Sequence, residues 1–202
     1  TSVIEGGPCM DKIFPAADGR DEQIEAVCES VKAMGAEGFT KLCYSVMPAE
    51  LRVVRTSYET VTRGGALTSR FCFNEAAYGD AEEGNTTKDD MFRDFRYFMT
   101  RVLPVAEDSG VLLALHPDDP PISPLHGWAR IMSSEEDMDR LMSMFPSVNN
   151  GLTFCQANIA LMDVDIPKTY EQYKDKVHFI HFRNVMGHAL DYTEVCHDDP
   201  EG

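Results

Sequence analysis

Apolar positions along the chain alternate between two rhythms. Mostly apolar runs occur near residues 2–5, 38–44, 111–116, 151–155 and 177–183. Between them lie stretches in which apolar residues return every three or four positions, the period of a helix with one buried face. Ile24, Val27, Cys28, Val31 and Met34 form one such face, with Asp21 as the expected cap and Gly35 as the stop. Met91, Phe92, Phe95, Phe98, Met99 and Val102 predict a second helix over 88–108, which Pro104 should bend or break. Ser134, followed by Glu135, Glu136 and Asp137, opens a third that carries Met138, Leu141 and Met142 inward, its acids suiting the helix dipole. A further helical stretch is expected around 168–174, ahead of the last apolar run. Residues 49–86, with Gly64-Gly65, Gly79 and Gly84 in a polar setting, read as an irregular connection.

Strands that are apolar throughout, each followed by a helix, predict parallel βαβ units covered on both faces. No glycine-rich phosphate loop follows any of the five runs, which disfavours dinucleotide-binding and P-loop folds. Composition narrows the class further. At 202 residues, 43% hydrophobic and 26% charged, the chain can bury a substantial core. It holds no apolar run of about 18 residues, so no membrane span is expected. The opening Thr1-Ser2-Val3-Ile4-Glu5 has no basic and apolar leader pattern and no starting Met, which suggests a chain cut from something longer. With 34 acids against 18 bases, the formal charge of −16 repels nucleic acid and anionic membranes. An anionic substrate would need local positive charge, from a metal or from particular arginines. The six cysteines (Cys9, Cys28, Cys43, Cys72, Cys155, Cys196) show no paired spacing, which fits a reducing, cytoplasmic compartment.

Candidate chemistry sits at strand ends. His116, Cys155 and His181 each close an apolar run, 39 and 26 residues apart, spacings suited to one βα repeat. In a barrel of parallel strands the C-terminal ends meet on one face, where active sites are built. Two imidazoles and a thiolate there would suit a first-row transition metal. Each residue alone reads as readily as a hydrogen-bonded histidine or a buried thiol, and spacing by itself leaves both readings open.

The words around these residues carry a resemblance. His116-Pro117-Asp118-Asp119-Pro120-Pro121 is similar to the HPDDPP segment of mannonate dehydratases. Gly151-Leu152-Thr153-Phe154-Cys155 resembles their GLTFC segment, and His178–Val185 their HF-x-H-x-RN-V strand. Cys43–Pro48, followed by Arg55-Thr56, resembles the CYN-x-MP and RT pair, and Glu194 with His197 an E-x-x-H element. These words fall in the family's order over nearly the whole chain.

The resemblance implies an α/β fold, a (β/α)₈ barrel of xylose-isomerase-like type that is incomplete here, with about five of eight βα units in a single partial domain over 1–202. It implies metal ligation by His116, Cys155 and His181, with Mn²⁺ or Fe²⁺ as cofactor. The activity implied is loss of water from D-mannonate to give 2-dehydro-3-deoxy-D-gluconate in hexuronate breakdown. His181 is preferred to His178 because strand alternation puts it on the face of Arg183. Arg183 offers a fork for a carboxylate, and His197 is a candidate proton carrier. Asp118, Asp119, Asn184, Arg130 and Arg55 are candidates for substrate contact or for orienting ligands, the last two also readable as solvated surface charges. The expected partner is a small sugar acid, with neither nucleic acid nor membrane; a homo-oligomer is compatible with the sequence. By the same resemblance the chain begins after two barrel strands and stops before an RPDHG-like segment whose Asp completes the metal site. Ser45 stands where the family word has Asn, and Gln156-Ala157-Asn158 where it has Thr-Gly-Ser. Two rivals remain at this stage: a divalent-metal sugar isomerase or epimerase, and a truncated, inactive paralogue.

Overall fold

A computed structural model describes residues 3–48, 51–78 and 83–199. Ser2 and Gly79, expected in the first strand and in the irregular connection, lie outside the described residues. The elements, in chain order, are β1 Val3–Glu5, α1 Arg20–Ala36, β2 Lys41–Tyr44, β3 Ser57–Val61, β4 Leu67–Cys72, α2 Lys88–Asp108, β5 Leu112–Leu115, α3 Glu135–Met144, β6 Asn150–Cys155, α4 Gln156–Ala160, α5 Ile166–Tyr173, β7 Val177–His181, β8 Asn184–His188 and β9 Asp191–Val195.

The five apolar runs pair in parallel in the order β1-β2-β5-β6-β7. Helices fill the crossovers: α1 between β1 and β2, α2 ahead of β5, α3 ahead of β6, and α4 with α5 ahead of β7. The sheet curls into part of a barrel, so that β7 comes near β2 and β5 although it hydrogen-bonds to neither. Alternation along the strands sorts the two faces. Leu42 and Tyr44, Leu113 and Leu115, and Leu152 and Phe154 join the main core under the helices. Cys43, Ala114 and Thr153, the residues between them, turn to the concave side, where the Thr153 hydroxyl lies 3.1 Å from both Cys43 Sγ and the Ala114 carbonyl. Strand periodicity thus delivers the next concave positions, His116 and Cys155, to the C-terminal rim.

The helix signals mostly hold, with instructive differences. Thr87 and Asp90 close a reciprocal capping box on α2, and Ser134 caps α3 through the Asp137 amide. Asp21 does not cap α1: Gly19, at φ 89°, takes that position and Asp21 falls in the first turn. Pro104 does not break α2, which runs on to Asp108. The proline lies on the exposed side of the last turns, while Phe95, Phe98, Met99 and Val102 are sunk in the core. Burial of that stripe offsets one lost backbone hydrogen bond.

Residues 49–86 are not simply irregular. They contain the hairpin β3–β4, which joins β9 and β8 in a four-stranded antiparallel sheet ordered β3-β4-β9-β8. Its outward positions Tyr58, Val61 and Leu67 are exposed while Phe71 and Tyr192 are buried in a second, smaller core with Leu51, Leu125 and Val185. Because apolar residues occur on both faces, the strands lack a clean alternation of apolar and polar positions. The turns are visible in hindsight: Gly64 and Gly65 adopt φ of 72° and 83°, where a side chain is strained.

Candidate metal centre

His116 follows β5, Cys155 ends β6 and His181 ends β7, and the curl of the sheet brings the three together. One donor atom from each lies within 4.8 Å of the others. His116 Nε2 faces His181 Nδ1 at 3.1 Å, across two strands adjacent in neither sequence nor hydrogen bonding. His116 Nδ1 is 2.6 Å from the Pro117 carbonyl, which accepts its N–H and leaves Nε2 as a bare lone pair aimed at the centre. Cys155 is fully buried, and burial pushes its thiol up, opposed by the Arg183 guanidinium. Burial likewise lowers the pKa of His116, which favours the neutral, ligating form. His181 Nε2 is buried without a hydrogen bond; the Glu5 carboxylate is 3.2 Å away but poorly aligned. Converging lone pairs, a shielded thiol and an unsatisfied ring nitrogen together form a donor set suited to a divalent transition metal.

Strand alternation alone does not explain why His178 stays out. β7 carries a bulge that leaves His178 without a partner between the pairs Leu152–Val177 and Thr153–Phe179. His178 packs beside Gly151, where a Cβ would overlap its ring, and hydrogen-bonds the Val148 backbone.

Beside the three donors lies a network of charges. Asp119 receives both prongs of Arg55 at 2.8 and 2.9 Å, the Tyr192 hydroxyl at 2.8 Å and Arg183 at 3.2 Å. Burial by itself would raise the Asp119 carboxyl; the Arg55 fork and the nearby Arg183 outweigh it and hold the group at about 2. Arg183 also donates to Asn158 Oδ1 at 2.9 Å and to Glu194, and its Nη1 is 3.5 Å from Cys155 Sγ. The Cys155 thiol donates to the same Asn158 oxygen at 2.8 Å, so Asn158, in the triplet that departs from the family word, touches both the candidate ligand and the arginine.

The other expected residues fall around this cluster. Asp118 is buried with its carboxylate on the Met132 amide at 2.8 Å; burial raises it to about 6, against the pull of Arg130. Arg55 and Arg130 are not solvated surface charges. The Arg55 side chain is 3% exposed, and Arg130 is 1% exposed, clamping the carbonyls of Pro120 and Leu51. Asn184 bonds the Cys196 carbonyl and the Val185 amide at the start of β8. His197 stacks on Phe182 and hydrogen-bonds its carbonyl, away from the residues that line the cleft at the three donors.

That cleft has a volume of about 290 Å³. His116, His181, Asp119 and Arg183 line it together with Glu5, Cys43 and Arg52, which the sequence reading passed over. A signal for two of them was present: Glu5 ends β1 and Cys43 is the penultimate residue of β2, one concave position below the level of His116. Tyr192 carried no signal, because its strand was not recognised.

Residues 80–202 match the family described as D-mannonate dehydratase (UxuA). The chain is 28% identical to a mannonate dehydratase of Streptococcus pneumoniae, across 100% of this chain and 62% of that protein. It is 30% identical to the one from Shouchella clausii, across 99% of this chain and 64% of the relative. The crystal structure of mannonate dehydratase from Streptococcus suis superposes with a TM-score of 0.91 at 29% identity, covering 100% of this chain and 60% of that one. The chain therefore spans about three fifths of the length of these relatives.

Proposed function

The chain belongs to the D-mannonate dehydratase (UxuA) family, and from that premise we propose that the protein removes water from D-mannonate to give 2-dehydro-3-deoxy-D-gluconate, with Mn²⁺ or Fe²⁺ held by His116, Cys155 and His181. The observation that carries the reading is the convergence of those three donors within 4.8 Å at the rim of a curled parallel sheet. Residues 1–202 are read as one partial barrel domain. No described helix is long and apolar enough to cross a membrane, and a cytoplasmic place in hexuronate breakdown fits the scattered thiols.

In the elimination, the C2–H bond beside the carboxylate and the C3–O bond break, water leaves, and the resulting enol becomes the 2-keto product. A bound divalent cation supplies Lewis-acid stabilisation of the negative charge that develops as the proton leaves. The chain's own groups prepare the place. Arg183, one quarter exposed at the cleft wall, presents a fixed guanidinium to a substrate carboxylate, its planes set by Asp119, Asn158 and Glu194. Arg52 adds a second positive charge to the cleft of an otherwise strongly acidic chain. Asp119 holds Arg55 and Arg183 in place rather than offering a free oxygen to sugar hydroxyls, while Asp118 and Arg130 brace the segment that follows His116. Asn184 fixes the turn after Arg183. His197, held against Phe182 outside the cleft lining, is the proposed proton carrier and would have to swing inward to reach a substrate.

Stripping the protein of metal, restoring Mn²⁺ or Fe²⁺ and supplying D-mannonate tests the reading. A product lighter by one water, formed only with metal, is the expected result. A product of unchanged mass would replace the reading with an isomerase or epimerase, and no turnover with D-mannonate or other aldonates would leave an inactive paralogue.

A further inference from the structure

His181 belongs to two donor groups. Glu5, Cys43 and His181 also place one ligand atom each within 4.8 Å of one another, and all three line the same cleft as His116. The two rings of donors share only the imidazole. Its Nδ1 faces His116 at 3.1 Å, while Nε2 lies 3.2 Å from Glu5 Oε1 and is buried with no hydrogen bond. A buried, unsatisfied nitrogen beside a carboxylate and a thiol is itself a sign of a missing ligand, since such groups are nearly always paired. Cys43 is 2% exposed on the concave face, and the Thr153 hydroxyl 3.1 Å from its sulfur is placed to orient a lone pair. Glu5 has a side chain 59% exposed, on the open side of the cleft.

We propose that Glu5, Cys43 and His181 form a second seat for a divalent transition-metal ion, occupied in alternation with the seat of His116, Cys155 and His181. A neutral imidazole has one lone pair and one N–H. With the lone pair on Nδ1 the ion sits with His116 and Cys155. Glu5, 3.2 Å from Nε2, is then the carboxylate that a small turn of its side chain would bring into line with the Nε2–H, a partner that ligating histidines commonly use. With the lone pair on Nε2 the ion sits with Glu5 and Cys43, and the Nδ1–H is directed at His116 Nε2. One proton on one ring therefore makes the seats exclusive. Carboxylate, thiolate and imidazole suit Fe²⁺, Zn²⁺ or Co²⁺. The outer seat lies toward solvent through Glu5, and an ion arriving at the cleft meets it on the way in.

The alternation rests on the first-seat reading, and Co²⁺ as the probe separates the two. Thiolate-to-cobalt charge-transfer absorption and equilibrium dialysis are measured on the wild type, Cys155→Ser, Cys43→Ser, the double variant, and Glu5→Gln in the wild-type and Cys155→Ser backgrounds. Circular dichroism verifies that each variant folds. The wild type is expected to bind one Co²⁺ with a thiolate band. Cys155→Ser should keep the band with roughly tenfold or more weaker binding, and Glu5→Gln should weaken that remaining site by roughly tenfold again. The double variant should lose the band. Loss of the band in Cys155→Ser alone overturns the second seat and leaves the first standing. Loss in Cys43→Ser alone, with Cys155→Ser unaffected, removes the first seat and keeps the second. A wild type without any thiolate band overturns both. Should a buried serine substitution unfold the chain, the same comparisons are made with Cys155→Ala and Cys43→Ala.

Discussion

Arg55 and Asp119 meet in a two-pronged ion pair, at 2.8 and 2.9 Å, with side chains only 3% and 5% exposed. The arginine lies just before β3, in the segment entering the antiparallel sheet; the aspartate lies three residues past His116, in the loop that follows β5 of the parallel one. The pair therefore fastens the two sheets together at the rim where the metal donors converge, and Tyr192 of β9 adds a third attachment.

A buried pair that loses one partner leaves the other charged and unsolvated. Arg55→Met should lower the unfolding free energy by roughly 3 kcal/mol, read from urea midpoints, because Asp119 keeps only Arg183 and Tyr192. Arg55→Met with Asp119→Leu should recover most of that loss. Equal damage in the single and double variants would show that the charge pairing is not what matters at this position.

Acid should weaken the fold through the same group. Asp119 stands at about 2 in the folded protein against an ordinary 3.8, so the unfolded chain takes up the proton first. Its contribution, on the order of 2 kcal/mol, is complete above pH ~4 and disappears as pH falls through 2. Between those limits the unfolding free energy of the wild type should fall more steeply than that of Asp119→Asn. Parallel curves would contradict the assignment.

Gly151 of β6 lies against the start of β7: a Cβ there would overlap the Lys176 carbonyl and the His178 ring. Gly151→Ala should destabilise by roughly 2–3 kcal/mol. Adding His178→Ala should relieve only part of it, since the carbonyl is backbone. Thermal melts of the three variants give the comparison.

Cys155→Ala removes the only sulfur of the proposed catalytic seat. Dehydration of D-mannonate should fall to background, and retention of Mn²⁺ through dialysis should drop by roughly tenfold or more. Turnover within about twofold of wild type would exclude Cys155 as a ligand.

Much of this architecture could be read from the residues. All five parallel strands announced themselves as mostly apolar runs, most clearly β5, because a strand covered on both faces has little polar side to interrupt it. His116, Cys155 and His181 were legible as strand-end residues, with the family words around them deciding between ligand and structural readings, and Ser134 with its acids marked one helix start. The antiparallel sheet was not legible. Tyr58, Val61 and Leu67 are exposed apolar residues that blur the alternation of β3 and β4, and Asn184–Val195 was read for its motif residues rather than its periodicity. With that sheet unseen, Arg55 and Arg130 could be read either as substrate contacts or as surface charges, and the role of Asp119 as a holder of arginines could not be inferred, since Tyr192 and Arg55 reach it only through tertiary contact. The bulge at His178 is likewise a property of the paired strands, and no single-strand pattern reports it.

The central claim is that His116 Nε2, Cys155 Sγ and His181 Nδ1 bind one divalent ion. Anomalous diffraction at the manganese edge, from crystals of the Mn²⁺-saturated protein, measures this directly. The account predicts a peak in bonding contact with those three atoms. A peak bonded elsewhere, or no peak near them at full saturation, would contradict it.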